Sequence, residues 1–531
     1  MIIMRTARHV PANGSLVTTY LLARCFCDGV SAAKSREVLP TSKVLPMKLM
    51  PGPSGLMKLP YIGTALMFAP FSRHSPENFG ALVADLHEKY GPVFKSRLGK
   101  DYSVHTDNAE DAEAIFRNEG AFPLRRLMTL SKVFRERNGL PPALGTVSGP
   151  AWQELRSAIN PLLMKPSVCI HYLPAQNHVA DDFVNQLQNP TLTPDAQSEL
   201  LFKFALESIG MVCFNQRLGF LDPTTCDSPD RLELLHALKL CLKSIFLAML
   251  GMERRYLRTA DDAFYRSYEN AMKLIRQRAM IYVRKIVQDV NRTDLERPAQ
   301  DSNLLESMLT KGNLQMEKVL AIIDSMLIGG TDSTARNMTV LIYNLAMNPE
   351  AQERAAKEVH ELVGLNDPIT PEALAKLVYL KACVKESMRI NFPLANGTER
   401  SLNIDTVIGG YLVPKGTSVI MSSSRSSLDA RYFSEPKKFL PERWLRREGE
   451  VVRHDSEDKK SHPFAYLPFG HGARGCIGRR FAEMEIYVGT AKLLQKLKIT
   501  VDPKYEGLKP IYTPFITPEK PIPFIFTARQ R

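Results

Sequence analysis

Apolar side chains recur every three or four residues over most of the chain, the period of a helix with one buried face. Asp230–Leu250 and Asp261–Val290 both carry it. From about Gln315 to Met347 it continues through a longer stretch that Asn348-Pro349 stops. At about 1.5 Å per residue that helix is about 50 Å long, enough to cross the whole molecule. Its middle, Val319 to Ile328, is almost wholly apolar, which predicts burial on every side. Further helices are predicted from about Pro371 to Asn391 and from near Cys476 to about Leu497. Short strand-like pieces such as GPVFKSRLG come first, and Thr406–Met421 reads as a hairpin. Leu49–Gly63, with Pro51, Pro53 and Pro60, is a stiffened loop. The expected class is mainly α with a small β subdomain.

Composition adds a scale. The chain has 531 residues, 44% hydrophobic and 24% charged, enough apolar material for a large core. No internal repeat or low-complexity linker divides it. One unit over 46–531 is expected, after a leader and linker over 1–45. Residues 1–36 hold five cationic side chains against the single acid Asp28 and many hydroxyls, the make-up of a mitochondrial transit peptide. Its longest apolar run, Leu16 to Ala23, is too short to span a membrane. Net charge is +13, which suits nucleic acid, an anionic membrane or an acidic protein. The cations are spread along the chain rather than gathered in one run, so no nucleic-acid partner is expected. Eight cysteines show no CxxC and no zinc spacing, so reduced thiols are expected.

The stretch FGHGARGCIGRR, Phe469–Arg480, surrounds Cys476 with four glycines and with His471, Arg474, Arg479 and Arg480. A following helix N-terminus and nearby cations favour a thiolate. Glycines let a loop pass close to a flat group, and an iron porphyrin held by one thiolate fits. Inside the long helix, IGGTDSTARN places Asp332, Ser333 and Thr334 beside Gly329 and Gly330. Glycines there cost about 1 kcal/mol each, a cost accepted where a groove is needed. A carboxylate and two hydroxyls at that opening form a proton relay. In KACVKESMRI, Glu386 and Arg389 can pair, while Lys381 and Lys385 point elsewhere. FLPERWLR could bring Arg443 to Glu386. In AWQELR, Trp152 and Arg156 share a helix face, and Arg156 could bind a carboxylate.

In this order the segments resemble the cytochrome P-450 family of haem-thiolate monooxygenases, over essentially everything after about residue 45. FGHGARGCIG fits the family's FxxGxRxCxG loop in full. The resemblance implies a triangular prism of helices around a buried haem b. It makes Cys476 the axial ligand, with Phe469 beside the sulfur and Gly478 in the cofactor loop. Trp152, Arg156, Arg400 and Arg474 become partners of the haem carboxylates. Glu386, Arg389 and Arg443 become a buried charge triad, and Asp332, Ser333 and Thr334 the oxygen-activation residues. Ser333 departs from the family's usual threonine, keeping the hydroxyl without the methyl.

KACVKESMR and CIGRRFAEME look like the mitochondrial branch of animals, which implies a small acidic ferredoxin of the adrenodoxin kind as electron donor. Lys381, Lys385, Arg479 and Arg480 would dock it. The implied substrate is lipophilic: a sterol, ecdysteroid, secosteroid or xenobiotic. The resemblance gives its chamber Ile328–Ser333, Pro393–Asn396 and Phe515–Thr517 as walls. The implied place is the matrix side of the inner mitochondrial membrane, held peripherally, with SIFLAMLGM (Ser244–Met252) as an apolar patch that could dip into it. A haem-thiolate isomerase and a haem sensor are rival classes; neither needs a relay together with a docking face.

Overall fold

The computed structural model describes residues 44–250, 259–292, 304–310, 314–395, 397–445 and 462–529. Nearly all of the expected leader therefore lies outside the described residues, and residues 46–531 form one unit. The helices that bear on function are α1 (Ala109–Arg117), α2 (Thr129–Arg137), α3 (Gly149–Leu163), α4 (Leu173–Leu187), α5 (Pro194–Phe214), α6 (Pro229–Met249), α7 (Ala263–Arg292), α8 (Met316–Met347), α9 (Pro349–Val363), α10 (Val378–Ile390) and α11 (Arg479–Lys496). Besides the short strand Leu45–Pro46, the strands are β1 (Val93–Leu98), β2 (Asp101–Thr106), β3 (Thr398–Ser401), β4 (Thr406–Ile408), β5 (Tyr411–Val413), β6 (Ser418–Met421), β7 (Leu497–Val501), β8 (Pro510–Tyr512), β9 (Ile516–Pro518) and β10 (Phe524–Ala528).

The long predicted helix forms without a break as α8, Gly329 and Gly330 included. It is buried on more than one face: Val319, Leu320, Ile323, Met338, Ile342 and Leu345 are all inaccessible. Asn348 ends it, and Pro349, whose missing N–H costs nothing at a first turn, starts α9. α8 packs on α5, α6, α7, α10 and α11. α5 begins on Thr193, whose hydroxyl accepts the Ala196 N–H, and every residue from Leu200 to Phe214 is buried.

Four strands form a sheet in the order β1-β2-β6-β3. β1 runs antiparallel to β2, β2 parallel to β6 with Ser103 opposite Ser418, and β3 antiparallel to β6. The predicted hairpin is accordingly divided. Only β4 and β5 pair across the Gly409-Gly410 turn; Ser418–Met421 leaves to join β2, because all four of its residues are buried and need a partner on each side. The expected helix over Pro371–Asn391 is likewise two helices, Pro371–Lys376 and α10, parted at Leu377. α11 starts at Arg479, three residues later than predicted.

The apolar patch at Ser244–Met252 is corrected where it is described. Ser244, Ile245, Phe246, Ala248 and Leu250 are buried, and Phe246 and Leu250 pack with Phe68, Phe79 and Leu82. Exposed apolar side chains gather instead along Leu49, Leu56, Leu59, Ile62 and Phe71. Among the described residues no helix is long and apolar enough to cross a membrane. Cys169, Cys213, Cys226, Cys241, Cys383 and Cys476 are all unpaired.

Candidate active site

Two left-handed glycines, Gly470 (φ 69°) and Gly472 (φ 72°), turn the chain back so that the Cys476 N–H donates to the Phe469 carbonyl at 2.8 Å. The Gly475 N–H closes the turn on the Gly472 carbonyl at 2.9 Å. Cys476 thus stands at the tip of a rigid loop, just ahead of α11. Cys476 is exposed, although neighbouring protein atoms crowd its sulfur. Burial raises the thiol pKa, while the Gly478 N–H, Arg156 and Arg479 pull it back. The expected cationic help is present but outweighed by burial. Phe469 lies under the Arg479 guanidinium, 5.5 Å from centroid to Cζ.

Around the cysteine loop, guanidiniums converge from four segments. Arg474 is buried and stacks on Trp152 of α3 at 4.2 Å. Its Nε donates to the Pro123 carbonyl at 2.7 Å and its Nη2 to Val147 and Ser148. Arg156, one turn along α3 from Trp152, donates to the Gly475 carbonyl at 2.9 Å. Arg400 of β3 donates to Glu119 at 2.8 Å and to the His471 carbonyl at 2.9 Å. Arg125 completes the group; nothing in its local pattern sets it apart from the neighbouring Arg126. Burial, then repulsion from Arg125, Arg400 and Arg156, pushes Arg474 down to about 9. Nε of Arg125, Nε of Arg156 and Nη1 of Arg474 are buried without a partner. Crowded, part-satisfied cations around one cysteine loop are the donor set that a porphyrin with two carboxylates requires, so the residues present fit a haem.

The three side chains expected together on α8 do not share a face. Ser333 alone turns to the opening: its hydroxyl donates to the Gly329 carbonyl at 2.7 Å, and a Cβ on Gly329 would meet nothing within 4 Å. Gly330 serves packing instead, since a Cβ there would stand 3.2 Å from Ile209 of α5. Asp332 points away and pairs with Arg336 Nε at 3.1 Å. Burial raises its pKa, against Arg336 and Lys239. Thr334 is buried with no hydrogen-bond partner in reach of good geometry; it faces Glu485 of α11, which burial pushes up to about 8. Successive helical residues are about 100° apart, so three in a row cannot line one groove.

Glu386 and Arg389 are both inaccessible and bond twice, at 2.9 and 2.7 Å. Arg443 Nε donates to the same carboxylate at 3.0 Å. The Trp444 indole and the Leu440 N–H complete its shell at 2.9 and 3.0 Å, two donors that the sequence did not indicate. Lys381 and Lys385 lie on the other side of α10. Lys381 donates to the Ala375 carbonyl and sits over Tyr487; Lys385 is exposed over Trp444. Arg479 and Glu483 both act on Lys385, so α10 and the start of α11 do share a charged face. Arg479 is paired with Glu483 at 2.8 Å, and Arg480 is exposed. Of the expected chamber walls, Pro393 accepts the Ile516 N–H at 2.9 Å and Leu394 bridges to Phe515; Asn396 lies outside the described residues.

The family model described as Cytochrome P450 matches residues 53–526. A relative named "Probable cytochrome P450 49a1", from Drosophila melanogaster, is 31% identical over 92% of this chain and 84% of its own length. Rat "Sterol 26-hydroxylase, mitochondrial" is 30% identical over 90% of this chain and 89% of its own. Among solved structures, "Retinoic acid bound cyanobacterial CYP120A1" superposes with a TM-score of 0.72 at 20% identity, covering 90% of this chain and all of that one; it shares the fold. A cysteine loop gripped by buried arginines, on this fold and under this match, has one consequence: the chain belongs to the cytochrome P450 family and is a haem-thiolate monooxygenase.

Proposed function

We propose that the chain hydroxylates a lipophilic substrate in mitochondria, with electrons from a small acidic ferredoxin. Residues 1–45 act as its transit peptide and linker, and residues 46–531 as the monooxygenase domain. The relatives named sterol 26-hydroxylase and 1,25-dihydroxyvitamin D(3) 24-hydroxylase, both mitochondrial, support this assignment, as does the shared charged face of α10 and α11. Sterols, secosteroids, ecdysteroids and xenobiotics are the candidate classes.

One observation carries most weight: the turned loop that holds Cys476 beside Arg156 and Arg479. Cys476 would hold the iron through its thiolate, with Phe469 and Gly478 shaping its surroundings. Trp152, Arg125, Arg156, Arg400 and Arg474 hold the porphyrin carboxylates. When bound, the iron porphyrin supplies dioxygen activation, placing one oxygen atom in a substrate C–H bond and releasing the other as water with two electrons and two protons. The protein's share is to orient and to move protons. Ser333 offers its hydroxyl at the Gly329 groove. Asp332 reaches, through Arg336, a polar cavity of about 190 Å³ lined also by Asp195, Glu199 and Lys239. Protons would pass round α8 from that cavity rather than along one face. Thr334 takes part only from the Glu485 side. Glu386, Arg389 and Arg443 hold the proximal segments in register.

Peripheral attachment to the matrix face of the inner membrane is assigned to Leu49–Phe71, where Lys48, Lys58 and Arg73 flank the exposed apolar residues. Cys476→Ser tests the central assignment. The variant should lose the red-shifted carbon-monoxide Soret band of a thiolate complex while keeping its helical circular dichroism. Retention of that band in the serine protein would refute it.

A further inference from the structure

Glu119 lies just beyond α1, past the Asn118 cap. Its side chain is 9% exposed, and its Oε2 accepts the Arg400 Nε–H at 2.8 Å. Its backbone carbonyl accepts from Asn403. On the opposite side it presses against the cysteine loop: a Cβ on Gly472 would collide with Glu119 Oε1. Gly472 is therefore required twice, for its φ of 72° and for the room it leaves this carboxylate. Glu119 thus joins β3 to the loop that carries Arg474 and Cys476, and its charge acts on Arg474. The other acid nearby, Glu399, is occupied by Arg126 at 3.2 Å and by Ser418.

A carboxylate set among guanidiniums that bind two further carboxylates competes with them for Arg400, yet it is built in at the cost of a glycine. A fixed anion close to an iron porphyrin favours the ferric state over the ferrous one. We propose that Glu119 has two separable effects on the haem: its bond to Arg400 braces a guanidinium that holds a porphyrin carboxylate, and its charge lowers the reduction potential of the iron. Glu119 is a positioning residue; it acts through Arg400 and through its field. The inference rests on the haem assignment above.

Two variants of the full-length, haem-loaded chain separate the effects. Glu119→Gln keeps an acceptor for Arg400 and removes the charge. Its midpoint potential should move positive, by several-fold in the ferrous-to-ferric ratio at fixed potential, as one unit charge beside a partly desolvated group would give. Haem transfer to apomyoglobin should stay slow. Glu119→Asp keeps the charge and falls a methylene short of Arg400. Its midpoint should stay near wild type while haem transfer becomes several-fold faster. An unmoved midpoint in the Gln variant, or an equal shift in the Asp variant, would overturn the proposal. So would failure of either variant to take up haem, which would assign Glu119 to loop assembly alone. A wild-type chain lacking the thiolate carbon-monoxide spectrum would instead sink the haem assignment itself.

Discussion

At the scale of single residues, chemistry depends on which way each side chain leaves its helix. Asp332, Ser333 and Thr334 are consecutive, but only Ser333 meets the groove that Gly329 leaves open. Its hydroxyl is held by one bond to the Gly329 carbonyl, and serine has no methyl to fix χ1. Ser333→Thr should therefore hold the hydroxyl more firmly and reduce the share of electrons lost as peroxide. Peroxide yield per NADPH, measured with substrate and the reconstituted redox chain, checks this; equal or greater leakage in the threonine protein counts against it. Arg125 and Glu119 escaped detection for the reverse reason. Neither has a local pattern, and their meaning comes from Arg400 and Arg474, hundreds of residues away in sequence.

Between elements, buried charge decides how α8 is held. Asp324 is inaccessible, and its Oδ2 accepts Arg135 of α2 at 3.4 Å and also Arg276 of α7. Arg276 reaches on to Glu317 at 2.9 Å, at a half-exposed rim. Three helices thus meet on one carboxylate whose Oδ1 has no partner. Removing one member of a buried pair strands the other, at about 3–5 kcal/mol, whereas an exposed pair is worth under about 1 kcal/mol. Asp324→Ala should accordingly destabilise the haem-loaded protein far more than Glu317→Ala. Urea titration followed by circular dichroism checks the difference; equal midpoints would remove any special role for Asp324. Helix positions themselves were legible from apolar period alone, with ends within a few residues for α6, α7 and α8. The break at Leu377 and the departure of β6 from its hairpin were not, because β6 is fixed by β2, more than 300 residues earlier.

For the whole molecule, a net charge of +13 matters where cations share a face. Lys381, Lys385 and Arg479 do so, with Glu483 among them, and Arg480 is exposed next to Arg479. Attraction between such a face and an acidic ferredoxin falls steeply with ionic strength. Joint Lys381→Glu and Lys385→Glu substitution should raise the KM for ferredoxin by at least tenfold at low salt, with less difference from wild type at high salt. Unchanged ferredoxin-driven turnover at low salt would exclude these lysines from docking. The exposed apolar residues of 49–71 make a second, separate expectation. Flotation with cardiolipin-containing vesicles should retain the wild-type chain and lose much of a Leu56→Ser, Phe71→Ser double variant. Equal flotation of the two would place attachment elsewhere.

The sequence by itself determined the helical class, the long central helix, the cysteine loop and the Glu386–Arg389 pair. Each is encoded by period or by close spacing, so neighbours along the chain suffice to specify it. Only the tertiary structure decided which side of α8 carries Ser333, which arginines gather round the Cys476 loop, and that most of Ser244–Leu250 is core while Leu49, Leu56, Leu59, Ile62 and Phe71 stay exposed. These depend on segments far apart in the chain meeting in space, and no local pattern of residues records such meetings.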